Sequence, residues 1–213
     1  MPKIDAQEKL FFSLLGKEMT EEELIDIFPV AKAELDGHDV ENKVLKIELN
    51  DTNRPDLWSP AGVARALSTY ESGEIPYYDF FSTKDESKDN EGRVIIDDES
   101  AIGIRDFSIG FACRGVEVDD DMLKNLIQSQ EKLCFNFGRK RKTIAMGIYR
   151  SDLINYPVHY AAVDPDKTKF VPLGMDEELS LREICQKHPK GKEYGYIVSS
   201  YDKFPYLYDD KGE

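Results

Sequence analysis

The sequence predicts an α+β protein built from two small domains of mixed helix and strand content. Three observations support this class: capping residues precede apolar residues at helical spacing, several short segments alternate apolar and polar residues, and one polar run divides the chain. The polar run covers residues 82–92, and we interpret residues 81–92 as a linker. It separates a domain over residues 1–80 from a second domain over residues 93–213.

The first domain opens with two predicted helices. Apolar residues at helical spacing predict a helix over residues 5–15, for which Asp5 can act as the N-cap. A second helix begins at Thr20, because Glu23 three residues later completes a capping box.

Two short strands and a sharp turn follow. Apolar residues predict strands near residues 31–36 and 44–49. Residues 50–67 then read NDTNRPDLWSPAGVARAL. This run leaves the second strand through a polar turn and restarts as a helix, with Ser59 as N-cap and Pro60 at the first helical position, where the missing N–H is tolerated.

The polar turn allows two interpretations. Asn53, Arg54 and Asp56 could be docking contacts for a partner molecule. Alternatively, the turn is structural, with its polar side chains bonding to local backbone and Trp58 anchoring the helix that follows. The residues themselves favour the structural interpretation.

The second domain combines strands with one long and one short helix. The long helix is predicted over residues 122–137, and the short helix begins at Ser180, which forms a capping box with Glu183. Strands are predicted over residues 93–97, 108–118, 143–149 and 158–163. Residues 206–213 resemble a strand that runs into a hairpin turn, so we expect the second domain to be truncated here.

Composition limits the classes of function. The 213 residues include 42 acidic and 28 basic side chains, a formal net charge of −14, which argues against a general nucleic-acid binder and makes any RNA contact local. Three cysteines and three histidines lie without metal-site spacing, so we expect no metal or other cofactor in this chain. No apolar run approaches the roughly 20 residues of a membrane helix, and we expect a cytoplasmic protein without membrane contact.

The densest basic cluster is the run Arg139-Lys140-Arg141-Lys142, directly after the long predicted helix. Its side chains could bind a phosphate backbone. They could equally complement the dipole at the helix C-terminus. From the residues alone, the second interpretation is favoured.

These motifs resemble the N-terminal part of the β subunit of phenylalanine–tRNA ligase in its archaeal and eukaryotic form. The resemblance rests first on the run over residues 50–67 and covers nearly the whole chain in the family's order. It also includes the segments MPKI (1–4), AELD (33–36), LIQSQEKL (126–133), GRKR (138–141), PLG (172–174), LREI (181–184), KHPKG (187–191) and EYG (193–195).

The resemblance implies an N-terminal domain followed by the first part of a tRNA-editing domain. In such an enzyme the chain would assemble with an α subunit as α2β2, bind the phenylalanine tRNA, and contribute to charging that uses ATP and magnesium. The catalytic residues are unknown and expected beyond Glu213. Gln130, Arg139 and Arg141 are implied as contacts to the tRNA end or as support for the editing pocket.

Editing has a physical cause. A phenylalanine pocket cannot strongly reject tyrosine, an analogue that adds one hydroxyl group, so a second site that hydrolyses tyrosine-charged tRNA restores accuracy. The alternative function is a scaffold without catalysis, in which the chain binds the α subunit and tRNA and is inactive as an isolated fragment.

Overall fold

The structure is a computed structural model that describes residues 3–50, 53–78 and 92–212. Helices and strands are mixed along the chain, which confirms the predicted α+β class. Apart from Gly92, the predicted linker over residues 81–92 lies outside the described residues.

The chain divides into two compact units, and neither is one continuous stretch. Unit 1 comprises residues 1–81 and 115–147, and unit 2 comprises residues 82–114 and 148–213. Residues 115–147 therefore group in space with the N-terminal residues, whereas the sequence placed them in the second domain. The limits of the functional domains stay a prediction.

Unit 1 contains a three-stranded antiparallel sheet in the order β1-β3-β2. The strands are β1 (Lys3–Gln7), β2 (Ala33–Asp39) and β3 (Val44–Leu49). The helix predicted over residues 5–15 is present over Glu8–Leu15. Its predicted start, with Asp5 as N-cap, was wrong, because Ile4 and Ala6 alternate into the core as strand residues. The predicted strands over 31–36 and 44–49 are confirmed, the first with shifted limits.

Four helices accompany this sheet: α1 (Glu8–Leu15), α2 (Glu21–Ile27), α3 (Pro60–Ser72) and α4 (Asp120–Lys132). The predicted capping box of Thr20 and Glu23 is present, and Ser59 caps α3 by accepting a hydrogen bond from the Gly62 N–H at 3.0 Å. A π-helical segment, Leu133–Phe137, extends α4. The predicted long helix is thus present, with its last turn wound more widely.

The core of unit 1 lies between the sheet and helices α1, α2 and α3. Phe11 and Phe28 are fully buried there and meet edge to face, with ring centroids 6.1 Å apart. The side chains of Ile47, Trp58 and Leu67 belong to the same apolar cluster. This packing buries the start of α3 against the sheet.

Unit 2 contains a second three-stranded sheet in the order β4-β5-β8. Strand β4 (Ile95–Asp97) runs parallel to β5 (Val158–Val163), which pairs antiparallel with β8 (Phe204–Asp209). A two-stranded ribbon joins β6 (Lys169–Phe170) to β7 (Leu179–Ser180). The described part of unit 2 also contains two short α-helices, α5 (Leu181–Lys187) and α6 (Pro189–Tyr194).

Two predicted strands are absent from the structure. Large apolar side chains recur at alternate positions within residues 108–118 and 143–149, such as Ile109 and Phe111 or Ile144, Met146 and Ile148, yet the structure places neither segment in a strand. An alternating pattern predicts a strand only where a neighbour supplies the backbone hydrogen bonds, so the pattern alone was not sufficient. The strands over 93–97 and 158–163 are confirmed, as is the capping box of Ser180 and Glu183.

None of the helices within residues 3–50, 53–78 and 92–212 combines the length and the apolar character needed to cross a membrane.

Candidate nucleic-acid interface

The polar turn before α3 is held by an ion pair. The Arg54 guanidinium donates two hydrogen bonds to the Asp56 carboxylate, Nε to Oδ1 at 2.9 Å and Nη2 to Oδ2 at 2.7 Å. Hydrogen bonding to Arg54 lowers the pKa of the Asp56 carboxyl below its usual range. Both side chains, like that of Asn53, lie at the surface.

The end of the turn is buried. The Trp58 side chain is 4% exposed and belongs to the core of unit 1, and Leu57 beside it is also buried. Gly62 permits this arrangement, because a Cβ at this position would lie 1.8 Å from the Asp56 carbonyl oxygen. The structure supports the structural interpretation for Trp58, while the docking role of Asn53, Arg54 and Asp56 stays a prediction.

Gln130 lies half-buried on α4, and its side chain is engaged with the backbone. Its Nε2 donates a hydrogen bond to the carbonyl oxygen of Met146, which lies beyond the basic run. Gln130 therefore ties α4 to the segment that follows the turn. This contact makes it a positioning residue for the turn between them.

The basic run forms a tight turn with an unusual backbone. Arg139, Lys140 and Arg141 are consecutive and all have left-handed conformations, with φ angles of 50°, 57° and 66°. For a residue other than glycine, this left-handed conformation costs roughly 1–2 kcal/mol of conformational energy. We call residues 138–142 the basic turn.

Hydrogen bonds to the preceding π-helical segment hold the basic turn. The N–H of Arg139 donates to the Asn136 carbonyl at 3.1 Å, that of Lys140 to Phe135 at 2.7 Å, and that of Arg141 to Cys134 at 2.8 Å. These bonds satisfy carbonyl groups that the end of a helix leaves open, and they offset the cost of the left-handed backbone.

Gly138 allows the chain to fold closely at this point. A Cβ on Gly138 would lie 2.4 Å from the Cys134 carbonyl oxygen and 2.9 Å from that of Ile144. Arg139 and Lys140 are exposed and Arg141 is half-buried. The Lys140 ammonium also lies 5.7 Å from the centre of the Phe135 ring, a distance suited to a cation–π contact.

The structure thus brings Gln130, Arg139 and Arg141 onto one element of unit 1, the end of α4 with its turn. The sequence indicated this cluster of charge and could not indicate the left-handed backbone, because the residue types Arg and Lys normally avoid it. The sequence also offered no indication that the Gln128 carboxamide on α4 hydrogen-bonds to the backbone of Asp5. The signal available was a polar helix face formed by Asp121, Lys124, Asn125 and Gln128.

Among the residues that the structure describes, no group of three or more His, Cys, Asp and Glu side chains could hold a metal ion. The ATP and magnesium that the resemblance implies belong to the whole ligase and stay a prediction.

The chain is similar in sequence to the β subunits of phenylalanine–tRNA ligases from several bacteria. The chain is 51% identical over 210 residues to the phenylalanine–tRNA ligase β subunit of Borreliella burgdorferi strain ZS7, covering 99% of this chain and 37% of that subunit. It is 46% identical over 211 residues to the corresponding subunit of Borrelia turicatae strain 91E135, with the same coverage. The chain thus spans 37% of the length of these curated relatives.

A solved structure has the same fold. A crystal structure of an N-terminal fragment of the phenylalanyl-tRNA synthetase β subunit from Pyrococcus horikoshii matches with a TM-score of 0.86 and 36% identity. The match covers 100% of this chain and 60% of that fragment. No family model matches the chain.

Proposed function

The chain is homologous to the N-terminal part of phenylalanine–tRNA ligase β subunits, and we propose that it acts as that part of a ligase. In this role it pairs with an α subunit and contributes, in the cytoplasm, to the ATP-dependent charging of the phenylalanine tRNA. The observation that carries the proposal is the similarity to these subunits along nearly the whole of this chain.

The basic turn is the proposed contact to tRNA. A guanidinium can bind phosphate oxygens through two parallel hydrogen bonds, and a rigid backbone reduces the entropy lost when the contact forms. The left-handed backbone of Arg139 and Arg141, fixed by three hydrogen bonds, provides such rigidity. Because the chain has a formal net charge of −14, this local cluster is the part best suited to a polyanion.

Gln130 has an indirect role in this proposal. Its bond to the Met146 backbone fixes the segment after the basic turn relative to α4. The editing role follows the same assignment: the whole subunit hydrolyses tyrosine-charged tRNA, and residues of this chain orient the tRNA end while the reacting groups lie elsewhere in the subunit.

A scaffold without catalysis is the second candidate. It is favoured by the use of side chains at the candidate site for internal structure: Trp58 is buried in the core, Arg54 bonds to Asp56, and Gln130 bonds to backbone. In this case the 213-residue chain holds the α subunit and tRNA in place and hydrolyses nothing.

Deacylation of tyrosine-charged phenylalanine tRNA tests both functions. The 213-residue chain is compared with the full-length β subunit, each alone and together with the α subunit. We expect hydrolysis by the full-length subunit and none by the 213-residue chain, and we expect charging with phenylalanine only when the full-length subunit and the α subunit are combined.

Two other outcomes would contradict one or both of these functions. Hydrolysis by the 213-residue chain would place the reacting groups within it and would overturn the scaffold function. A full-length subunit that neither deacylates the tRNA nor supports charging would overturn the proposed function as a whole.

A further inference from the structure

Helix α4 turns a polar face toward the rest of unit 1. Asn125 is only 8% exposed, whereas Leu123 and Ile127, which lie roughly opposite it on the helix, are each 44% exposed. A helix at the surface of a protein usually buries its apolar side and exposes its polar side. The reversal at α4 means that apolar packing alone does not explain its position, and it places hydrogen-bonding side chains inside the unit.

A cavity of about 300 Å³ lies at this polar face. Its lining comes from β1, α1, α3 and α4, which contribute Gln7, Leu10, Pro60, Asp121 and Asn125 among others. The volume is at the lower end of the range for pockets that hold small molecules. The cavity therefore has room for a small ligand.

Asn125 is the buried polar residue of this lining. Its Oδ1 atom has no hydrogen-bond partner among the residues that the structure describes. A buried acceptor without a partner destabilises a protein, and such groups are normally satisfied. The missing partner has to donate a hydrogen bond, which an N–H group of a ligand can do.

The lining of the cavity also carries a net negative charge. Asp5 and Asp121 contribute two carboxylates, and the Lys124 ammonium, 3.6 Å from Asp121 Oδ1, offsets one of them. Lys46 lies opposite Asp5 on β3 but is outside the lining. A water molecule could satisfy the Asn125 acceptor but would add no positive charge. A cationic donor therefore matches the lining better than water does.

The chemistry of the lining favours an organic cation. Within the described parts of the chain, no group of three or more His, Cys, Asp and Glu side chains could hold a metal ion. Leu10 and Pro60 add apolar surface to the cavity, which suits methylene groups. A primary amine on a short aliphatic chain combines positive charge, N–H donors and methylene groups.

We propose that this cavity binds an aliphatic ammonium compound, whose ammonium group is held by Asp5, Asp121 and Asn125 and whose methylene groups lie against the apolar part of the lining. The inference goes beyond the proposed function and does not depend on it, because it uses no residue of the basic turn.

Putrescine, a four-carbon diamine, is the probe, and the neutral diol of the same length is its control. The ¹⁵N-labelled 213-residue chain is titrated in about 0.15 M salt, which screens the attraction between a cation and the acidic chain as a whole. We expect the side-chain amide signal of Asn125 to shift saturably, with a dissociation constant on the order of 1 mM, as suits so small a ligand. The diol should cause no shift.

Two neighbouring acidic residues provide a matched comparison. Asp121 lines the cavity, whereas Asp120, beside it in the first turn of α4, is exposed and does not. Each Asp→Asn substitution removes one negative charge from the same end of the helix. We expect Asp121→Asn to weaken putrescine binding about fivefold and Asp120→Asn to change it by less than about twofold.

Asn125→Leu tests the unpartnered acceptor with little change in side-chain size. Because the substitution removes a buried acceptor that has no partner, the variant should fold and melt at the wild-type temperature or above it. Its affinity for putrescine, measured by calorimetry, should fall at least fivefold.

Two results would overturn the proposal. If putrescine does not shift the Asn125 signal, the cavity holds only water. If Asp120→Asn and Asp121→Asn weaken binding equally, the amine is attracted to the acidic end of the helix and not to the cavity. These readouts need neither tRNA nor ligase activity, so their failure is distinguishable from a failure of the proposed function.

Discussion

The Gln128 carboxamide bonds to the backbone of Asp5 in both directions. The Asp5 N–H donates to Gln128 Oε1 at 2.7 Å, and Gln128 Nε2 donates to the Asp5 carbonyl at 2.8 Å. Asp5 lies on β1, an edge strand of its sheet. The Gln128 side chain on α4 thus provides the hydrogen bonds that a neighbouring strand would provide, and it satisfies the outward-facing N–H and C=O groups of Asp5.

Gln128→Leu should destabilise unit 1 by about 0.5–1.5 kcal/mol, because it removes two hydrogen bonds to Asp5, whose exposed backbone groups water can then partly satisfy. Urea unfolding gives the free energy. Glu131→Leu, at an exposed position of the same helix, is the control and should change it by less than about 0.5 kcal/mol. If both variants unfold at the wild-type midpoint, the contact contributes nothing.

Trp58→Ala should cost about 3–5 kcal/mol, since it leaves a cavity in the core of unit 1. Trp58→Phe should cost much less: the indole Nε1 has no hydrogen-bond partner among the described residues, so no bond is lost with it. Thermal unfolding of both variants compares the two costs. Similar losses for Ala and Phe would mean that the indole nitrogen, and not the ring volume, matters.

Gly62→Ala tests the close packing of α3 against the preceding turn, because the substitution can either raise or lower the free energy of unfolding. Helix propensity alone predicts a stabilisation of about 1 kcal/mol. The Cβ would however lie 1.8 Å from the Asp56 carbonyl oxygen, and we expect destabilisation instead. Ala61→Gly, one residue earlier, calibrates the propensity effect in the same unfolding experiment; a stabilised Gly62→Ala would show that the turn moves freely.

The Arg54–Asp56 pair should make stability depend on pH in the acid range. Because the folded pKa of Asp56 is lowered, its contribution is present above the carboxyl's usual pKa and is lost as pH falls through the folded value. The melting temperatures of wild type and Asp56→Asn should therefore differ at pH 6, begin to converge as the pH falls below about 4, and become equal only below the lowered folded pKa of Asp56. The difference should be small, because both side chains are partly exposed. A gap that widens on acidification would contradict this sign.

Arg141→Ala in the full-length subunit should impair proofreading and spare charging. The loss of a charge-assisted contact to phosphate is worth about 1.5–3 kcal/mol, or roughly tenfold or more in the rate of deacylation. Phenylalanine charging should stay within about twofold of wild type. Lys124→Ala, at an exposed basic position of α4 outside the basic turn, is the control and should leave deacylation unchanged. Unchanged deacylation by Arg141→Ala would remove Arg141 from the site.

Local signals in the sequence predicted local structure well. The capping boxes at Thr20 and Ser180 and the N-cap at Ser59 are present because each depends on residues within three positions. The sequence does not predict strand β1, because its alternation of Ile4 and Ala6 is short and directly precedes the helix α1. The segment over 108–118 was predicted from a true alternation, but pairing depends on a neighbour that the pattern does not contain.

For the candidate site, too, the sequence predicted the local features and not the contacts between distant residues. The charge of Arg139 and Arg141 is visible in the sequence, as is the position of Gln130 on a helix. Their geometry is not, since the left-handed backbone depends on carbonyl groups of the π-helical segment and on the small volume of Gly138. The contact of Gln128 with Asp5 spans 123 positions, a separation at which no local pattern carries information.

That separation also matters during synthesis. The chain leaves the ribosome from its N-terminus, so β1 emerges more than one hundred residues before the Gln128 carboxamide that satisfies it. At roughly 5–20 residues per second this interval lasts several seconds, in which the edge of the sheet can pair with other nascent chains. The protein is therefore most exposed to misassembly before α4 has been translated, and an early stop between residues 50 and 120 would leave that edge open permanently.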